Sequence, residues 1–117
     1  MPPEYVPERG HLVWLTFDPP TGHAQAGTRP ALVISPANYN RKVGLALLCP
    51  VTSQVKGYPF EVLLPAGLKV QGAILSDRIK SLDWRVRRVR FAGTVPDQVL
   101  EDAAARIMTL VDPGEAR

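Results

Sequence analysis

Polar and cationic side chains stand at the ends of the short apolar runs in this sequence. Arg29 lies between a loop of small residues and the apolar run that begins at Pro30. A residue that precedes proline is held in an extended backbone, so the directions open to Arg29 are restricted. Its guanidinium is a planar fork of donors that fits a phosphate or a carboxylate. The sequence therefore predicts recognition of an anion near Arg29.

A second polar group follows the apolar run "LALLCPVT". Its members are Thr52, Ser53 and Gln54 at the end of the run, with Lys56 just beyond. Binding and catalytic groups are often found at strand ends and on loops beside a rigid sheet. Each residue also has a structural reading: Arg29 as an ion-pair donor, Thr52 as a turn cap and Lys56 as a solvated charge. The residues alone leave that choice open.

Positive charge is concentrated late in the chain, although the net charge is only +3. Between residues 78 and 90 a single acid, Asp83, is outnumbered by Arg78, Lys80, Arg85, Arg87, Arg88 and Arg90. Such a basic patch suits a nucleic acid or an acidic protein partner. A solvated strand face is the alternative interpretation.

Several common kinds of site are not supported by the sequence. Two histidines and one cysteine, without HxxxH or CxxC spacing, are too few for a zinc site. The chain also lacks the glycine-rich nucleotide-binding patterns and the GxSxG serine elbow. Cys49, within an apolar run, is predicted to be a core residue. We therefore expect neither a metal nor a cofactor.

The elements that must position these residues are predicted to be mainly strands. The 117 residues suit one domain, 1–117. Six apolar runs of strand length, separated by Gly, Pro, Asn and Asp, indicate a strongly bent antiparallel sheet or small barrel. The runs are "HLVWLTF", "PALVIS", "LALLCPVT", "PFEVLL", "GAILSDRI" and "WRVRRVRF". No run approaches the ~18 apolar residues of a membrane span, and no leader is evident, so we expect a cytoplasmic protein.

The last strand and the C-terminal segment have distinct patterns. In "WRVRRVRF" the alternation points Trp84 and Val86 inward and breaks at Arg88, which predicts a bulge. Apolar residues then recur at helical spacing, which predicts an amphipathic helix over 96–111 and a frayed end after it. Thr94 and Asp97 are expected to supply its cap and first-turn acid.

The motifs together resemble those of the MazF (PemK-type) toxin family. The resemblance covers about residues 5–111 and rests on "GHLVW", the GxxQxGxRP pattern, "PVTSQVKGYPFEV" and "LSDRIKSLDWR", in that order. It implies a mainly β, SH3-like antiparallel barrel of the PemK/CcdB type with a C-terminal α-helix. It also implies a homodimeric mRNA interferase that cuts single-stranded RNA without metal, leaving 2′,3′-cyclic phosphate and 5′-hydroxyl ends. A cognate antitoxin of the MazE type would neutralise it.

The resemblance places the family's key arginine on Arg29 and its key threonine on Thr52. Arg29 would stabilise charge that develops on the phosphate during attack by the ribose 2′-hydroxyl, and Thr52 would donate a hydrogen bond or orient the attacking group. Many relatives carry an acid where this chain has Ala24. His23 is the neighbouring candidate for proton transfer, because imidazole titrates near neutrality.

Further polar residues are predicted to bind RNA, because cations hold phosphates and amides or hydroxyls can read unstacked bases. They are Gln25, Thr28, Ser53, Gln54, Lys56, Lys80, Arg85 and Arg87. Tyr58 and Phe17 are possible stacking platforms, although core packing suits Phe17 better. Two other functions remain open on the sequence: a CcdB-like, non-enzymatic poison of a protein such as DNA gyrase, and an RNA-binding module that does not cut.

Overall fold

The computed structural model describes residues 4–17 and 27–115. Seven strands occur in the described residues, all paired antiparallel. They are β1 (His11–Thr16), β2 (Thr28–Val33), β3 (Ala46–Thr52), β4 (Glu61–Leu63), β5 (Ala73–Leu75), β6 (Lys80–Leu82) and β7 (Arg90–Thr94). The helices are α1 (Ala37–Val43) and α2 (Asp97–Val111), with short 3-10 turns at Ser76–Arg78 and Pro113–Glu115.

Strand β3 is where the sheet bends. The hydrogen-bonded order is β4-β5-β3-β2-β1-β7, and β6 pairs separately with β3. The first half of β3 pairs with β6 along one edge, and its last two residues, Val51 and Thr52, pair with β5. Strand β3 therefore takes part in three ladders, with β2, β6 and β5, and its pairing changes from β6 to β5 just before the predicted polar group. The prediction of a mainly β fold with a strongly bent antiparallel sheet and a C-terminal helix is confirmed.

Both faces of the central strands are buried. Alternate residues of a strand point to opposite faces, and on β1 this sends Leu12 into one cluster and Val13 and Leu15 into another. The first cluster also contains Val99 and Ala103 of α2, and the second contains Trp84. The two-sided core explains why these strands read as nearly continuous apolar runs.

Helix α1 and strand β6 were not predicted. The segment "NYNRKVG" was interpreted as a break between strands, but its first six residues belong to α1. The helix is capped by the next residue, Gly44, which has a left-handed backbone (φ 82°). Asn40 of α1 is fully buried and its amide nitrogen donates to the carbonyls of Pro7 and Ser35. The helix is therefore held in part by a polar contact with Pro7, which is distant in sequence, and the local pattern does not show that contact.

The prediction for "WRVRRVRF" was wrong. Residues 84–88 form a turn, in which Arg88 has a left-handed backbone (φ 57°) and the Val89 amide donates to the Trp84 carbonyl. Trp84 is buried as expected, whereas Val86 is 75% exposed. The bulge lies instead between β1 and β7, where Leu12 pairs with Gly93 and Val13 with Phe91. The turn thus places successive arginines in different directions.

Helix α2 begins one residue later than predicted and ends as predicted. Asp97 is in its first turn, but Thr94 belongs to β7 and makes no cap, and the residue before the helix is Pro96. Only the first half of the predicted apolar face is buried, since Leu110 and Val111 are 55% and 61% exposed. Within residues 4–17 and 27–115, neither helix combines the length and hydropathy that crossing a bilayer requires.

Cys49 is a core residue, as predicted. Its side chain is fully buried in the cluster that packs against α2. Burial, followed by the negative charge of Asp77, raises the pKa of the Cys49 thiol to about 12. Because the thiolate is the reactive form, Cys49 has no role in the chemistry described below.

Candidate functional site

Arg29 and Thr52 are brought together by the pairing of β2 with β3. The β2–β3 ladder ends at the pair Ala31 and Pro50, and Arg29 and Thr52 each lie two residues beyond that pair on their own strands. Both residues line a cleft of about 490 Å³, the large cleft, and a second one of about 170 Å³, the small cleft. Gln54 also lines both. Two residues that are 23 positions apart in the sequence therefore meet at the junction of two open clefts.

The guanidinium of Arg29 is exposed and held beside an aromatic ring. Its Cζ lies 5.9 Å from the centre of the Phe17 ring, and the Lys80 Nζ lies 5.7 Å from the same centre. Phe17 is buried, as expected for a core residue. Among the described residues, Arg29 has no carboxylate within ion-pair distance. No other described residue accepts a hydrogen bond from its guanidinium either, and the five donors of that group suit an anion.

The hydroxyl of Thr52 is oriented by its own turn. The backbone N–H of Gln54 donates to Thr52 Oγ1 at 3.0 Å. Because this contact uses the oxygen as an acceptor, the hydroxyl hydrogen is left for another group. Thr52 is half-buried at the cleft wall, whereas Ser53 and Gln54 are exposed beside it. The site can therefore present a positioned O–H donor next to a guanidinium.

The loop that carries Lys56 is fixed by a carboxylate. Glu61 accepts hydrogen bonds from the backbone amides of Lys56 and Gly57, the latter at 2.7 Å. From the other side, Arg106 of α2 donates to the Pro59 carbonyl at 2.9 Å. Lys56 thus lies at the small cleft on a loop that is held in place by hydrogen bonds, although its own side chain is exposed.

Three polar or cationic residues that line the clefts were not among the individually predicted RNA-binding residues, although one of them, Arg78, belongs to the basic patch noted in the sequence. Lys69 and Gln71 line the large cleft from the β4–β5 hairpin, and Arg78 lines the small cleft. The hairpin "PAGLKVQG" was interpreted only as a break between strands. The only sequence signal for an RNA contact there was the presence of a cation, Lys69, and an amide, Gln71, within the hairpin. Their place at the site depends on the β3–β5 pairing, which the sequence does not reveal.

Tyr58 lies at the small cleft, where a stacking platform was expected. Its hydroxyl donates to the Asp77 carboxylate at 3.0 Å. Desolvation and this hydrogen bond raise the pKa of Tyr58, so the phenol stays neutral at physiological pH.

The remaining predicted RNA-binding residues are dispersed. Thr28 is exposed at the start of β2, and Arg87 donates to the Thr16 carbonyl at 3.1 Å. Arg85 forms an ion pair with Glu4 at 3.1 Å and stacks on Trp84, in a third cavity that shares no residue with the two clefts. His23, Ala24 and Gln25 lie in residues 18–26, outside the described residues.

Metal ligands are not grouped in the part of the chain that the structure describes. No three His, Cys, Asp or Glu side chains there are close enough to hold an ion together. His11, the other histidine, packs between Tyr5 and Phe91 and is hydrogen bonded to the Tyr5 hydroxyl at 2.7 Å. Burial lowers its pKa, so it is a neutral packing residue.

Comparisons with known proteins agree with the resemblance. Residues 8–111 match the family described as PemK-like, MazF-like toxin of type II toxin-antitoxin system. The endoribonuclease toxin MazF of Escherichia coli K12 is 48% identical over 107 residues, which are 92% of this chain and 96% of that protein. MazF of Deinococcus radiodurans superposes with a TM-score of 0.85 at 53% identity, covering 93% and 99% of the two chains. A MazE–MazF structure from the same organism gives 0.84 at 50% identity, covering 93% and 98%.

Proposed function

Because the chain belongs to the PemK-like, MazF-like toxin family of type II toxin–antitoxin systems, we infer that it is an endoribonuclease toxin neutralised by a cognate antitoxin. The observation that carries the inference is the meeting of Arg29 and Thr52 at the clefts on a chain 48% identical to an endoribonuclease toxin over nearly its whole length. A poison that only bound a protein target would not need this pair. The substrate we propose is single-stranded RNA.

We propose that the reaction is an attack of the ribose 2′-hydroxyl on the adjacent phosphorus, without a metal ion. The new bond joins O2′ to phosphorus, the bond from phosphorus to O5′ breaks, and the products carry a 2′,3′-cyclic phosphate and a 5′-hydroxyl. The proton lost from O2′ goes to a base, and O5′ gains a proton as it leaves. His23 is our proposed group for proton transfer, on the sequence argument alone.

Arg29 is assigned to the charge that develops during the attack. Negative charge grows on the non-bridging oxygens as the phosphorus becomes five-coordinate, and a fixed guanidinium stabilises that state more than the ground state. Thr52 is too weak an acid or base to transfer the proton, but its O–H can donate to a phosphate oxygen. Gln54 lines both clefts, and we assign it to a contact with a nucleotide beside the cut.

An RNA chain has cationic contacts available on both sides of Arg29. Lys69 lies at the large cleft, and Lys56 and Arg78 lie at the small cleft. Cations bind successive phosphates, while the exposed amides and hydroxyls of Ser53 and Gln54 can read base edges. An acidic segment of the antitoxin would compete for the same cations, so RNA and antitoxin would exclude each other.

Replacing Lys69 by alanine is expected to lower the affinity for RNA and also to make that affinity less dependent on salt concentration. Loss of one phosphate contact makes the slope of log affinity against log salt less steep by about 0.7 for a single strand. Affinity for a non-cleavable, 2′-deoxy oligonucleotide, measured by fluorescence anisotropy at several salt concentrations, tests this. Lys42→Ala, which removes an exposed lysine of α1 that lines neither cleft, is the matched control. Equal slopes for the wild type and Lys69→Ala would contradict the assignment.

We also propose that the protein is a homodimer. In the described residues, three strands have only one partner strand: β4, β6 and β7. Of these, β4 and β7 each expose a large apolar side chain, Leu63 at 64% and Phe91 at 53%. An exposed edge strand with apolar side chains is favourably covered by pairing with another chain. Equilibrium sedimentation at micromolar concentration is expected to give twice the monomer mass. A fit to monomer alone would refute the dimer.

Cleavage is tested by incubating the purified protein with a long single-stranded RNA in EDTA. Discrete fragments are expected, because the proposed chemistry uses only side chains. The same protein is assayed for inhibition of DNA gyrase. Intact RNA together with gyrase inhibition would replace the proposal with a protein-directed poison, and RNA binding without fragments would reduce it to a binding module.

A further inference from the structure

Gly72 approaches the backbone of Thr52 more closely than any residue with a side chain could. A Cβ placed on Gly72 would lie 2.1 Å from the Thr52 carbonyl oxygen, 2.9 Å from its carbonyl carbon and 3.3 Å from the Cα of Ser53. All three are backbone atoms. They cannot rotate aside as the end of a flexible side chain can.

The position of Gly72 is fixed on both sides. Its carbonyl accepts a hydrogen bond from the Leu64 amide at 2.9 Å, which closes the β4–β5 hairpin. The next residue, Ala73, pairs with Thr52 in the last rung of the β3–β5 ladder. The φ of Gly72, +121°, lies in a region that residues with a Cβ rarely adopt. A methyl group at Gly72 would therefore displace Thr52 rather than the hairpin alone.

We propose that Gly72 is a positioning residue that holds Thr52 in its reactive orientation, an inference that rests on the proposed ribonuclease function. The Thr52 hydroxyl is oriented by its own backbone and by the Gln54 amide, and both would shift with the Thr52 carbonyl. The β4–β5 hairpin thus sets the geometry of the site through a backbone contact. It also supplies Lys69 and Gln71 to the same cleft.

Gly67 provides a matched control within the same hairpin. It also has a positive φ, +96°, but a Cβ placed there would meet no atom within 4 Å. Gly67→Ala therefore introduces the backbone strain of an L-residue at positive φ without the contact against Thr52. The difference between Gly72→Ala and Gly67→Ala isolates the effect of that contact.

The experiment measures kcat and KM on a short RNA for Gly72→Ala and Gly67→Ala, each with and without Thr52→Val. Displacement of a catalytic group by about 1 Å can cost on the order of a hundredfold, so Gly72→Ala is expected to lower kcat by roughly ten- to a hundredfold. Its KM is expected to stay within about threefold of the wild-type value, because the phosphate-binding cations remain. With Thr52→Val present, Gly72→Ala should change kcat by less than about threefold, since coupled residues are not additive.

Three results would overturn the proposal. They are an equal loss of kcat from Gly72→Ala in both backgrounds, an equal loss from Gly67→Ala and Gly72→Ala, and a Gly72→Ala protein that is unfolded where Gly67→Ala is folded. The last would show that the sheet, and not the position of Thr52, requires the glycine. Circular dichroism and urea unfolding of each variant identify that case.

A readout without RNA separates this inference from the ribonuclease proposal. In ¹⁵N-labelled protein, Gly72→Ala is expected to shift the amide resonances of Thr52 and Gln54, and Gly67→Ala is expected to leave both in place. If the wild-type protein fails to cut RNA, the ribonuclease proposal fails, and these resonances still decide whether Gly72 positions Thr52. Unchanged resonances in Gly72→Ala would reject the positioning contact.

Discussion

Arg29→Ala is expected to lower the rate of RNA cleavage by roughly a hundred- to a thousandfold, the effect of removing one preorganised donor from a developing oxyanion. The guanidinium is exposed, lines both clefts and has no carboxylate partner among residues 4–17 and 27–115. Because it supports no described ion pair, its removal should leave the fold intact. The initial rate of cleavage of a fluorescent RNA, with circular dichroism of the same sample, tests both statements.

Two further variants define what Arg29 contributes. Arg29→Lys keeps the charge and loses the planar fork, so RNA affinity should be largely retained while kcat stays low. Arg41→Ala removes an exposed arginine of α1 that lines neither cleft, and its activity should match the wild type. Cleavage by Arg29→Ala at the wild-type rate would remove Arg29 from the mechanism.

Asn40→Ala is expected to lower the free energy of unfolding by about 3 kcal/mol, because several buried polar groups lose their partner at once. The Asn40 amide donates to the carbonyls of Pro7 at 2.8 Å and Ser35 at 3.0 Å, and its oxygen accepts from the Ser35 hydroxyl. That hydroxyl in turn accepts from the Leu47 amide. One side chain thus joins the N-terminal segment, the end of β2, helix α1 and the start of β3.

Urea unfolding followed by tryptophan fluorescence measures this loss. Trp84 is a suitable probe because its indole N–H donates to the Asn40 carbonyl at 3.0 Å. Asn38→Ala is the matched control: it is the same substitution in the same helix at an exposed position, and the expected change is within about 0.5 kcal/mol. Equal stabilities for the two variants would contradict the role of Asn40.

The strands were predictable from the sequence because their apolar runs are local and bounded by turn residues. Four of the six runs contain a whole strand, "PALVIS" covers four of the six residues of β2, and the helix over 96–111 differs from α2 by one residue. Arg29 and Thr52 were also identified from the sequence, through their place at strand ends and the family resemblance. The structure adds the pairing of β2 with β3 and shows that both residues line the same two clefts.

Non-local contacts account for what the sequence did not show. Helix α1 is stabilised by the buried amide of Asn40, which donates to the carbonyl of Pro7, 33 positions away in the chain. The arginines after Trp84 were assigned to a strand because apolar and charged residues alternate there. The pairing partner of β1 is instead Arg90–Thr94, and the local alternation does not reveal this. Lys69 and Gly72 reach the site only because the β4–β5 hairpin folds against the end of β3.

The masses of the RNA fragments produced in EDTA test the central claim most directly. Attack by the 2′-hydroxyl at the Arg29–Thr52 site predicts upstream fragments that end in a 2′,3′-cyclic phosphate and downstream fragments that begin with a 5′-hydroxyl. The same RNA carrying 2′-deoxyribose at the cut position should remain intact. Fragments with a 3′-hydroxyl and a 5′-phosphate, or cleavage of the deoxy-substituted RNA, would show that water attacks the phosphate and would contradict this mechanism.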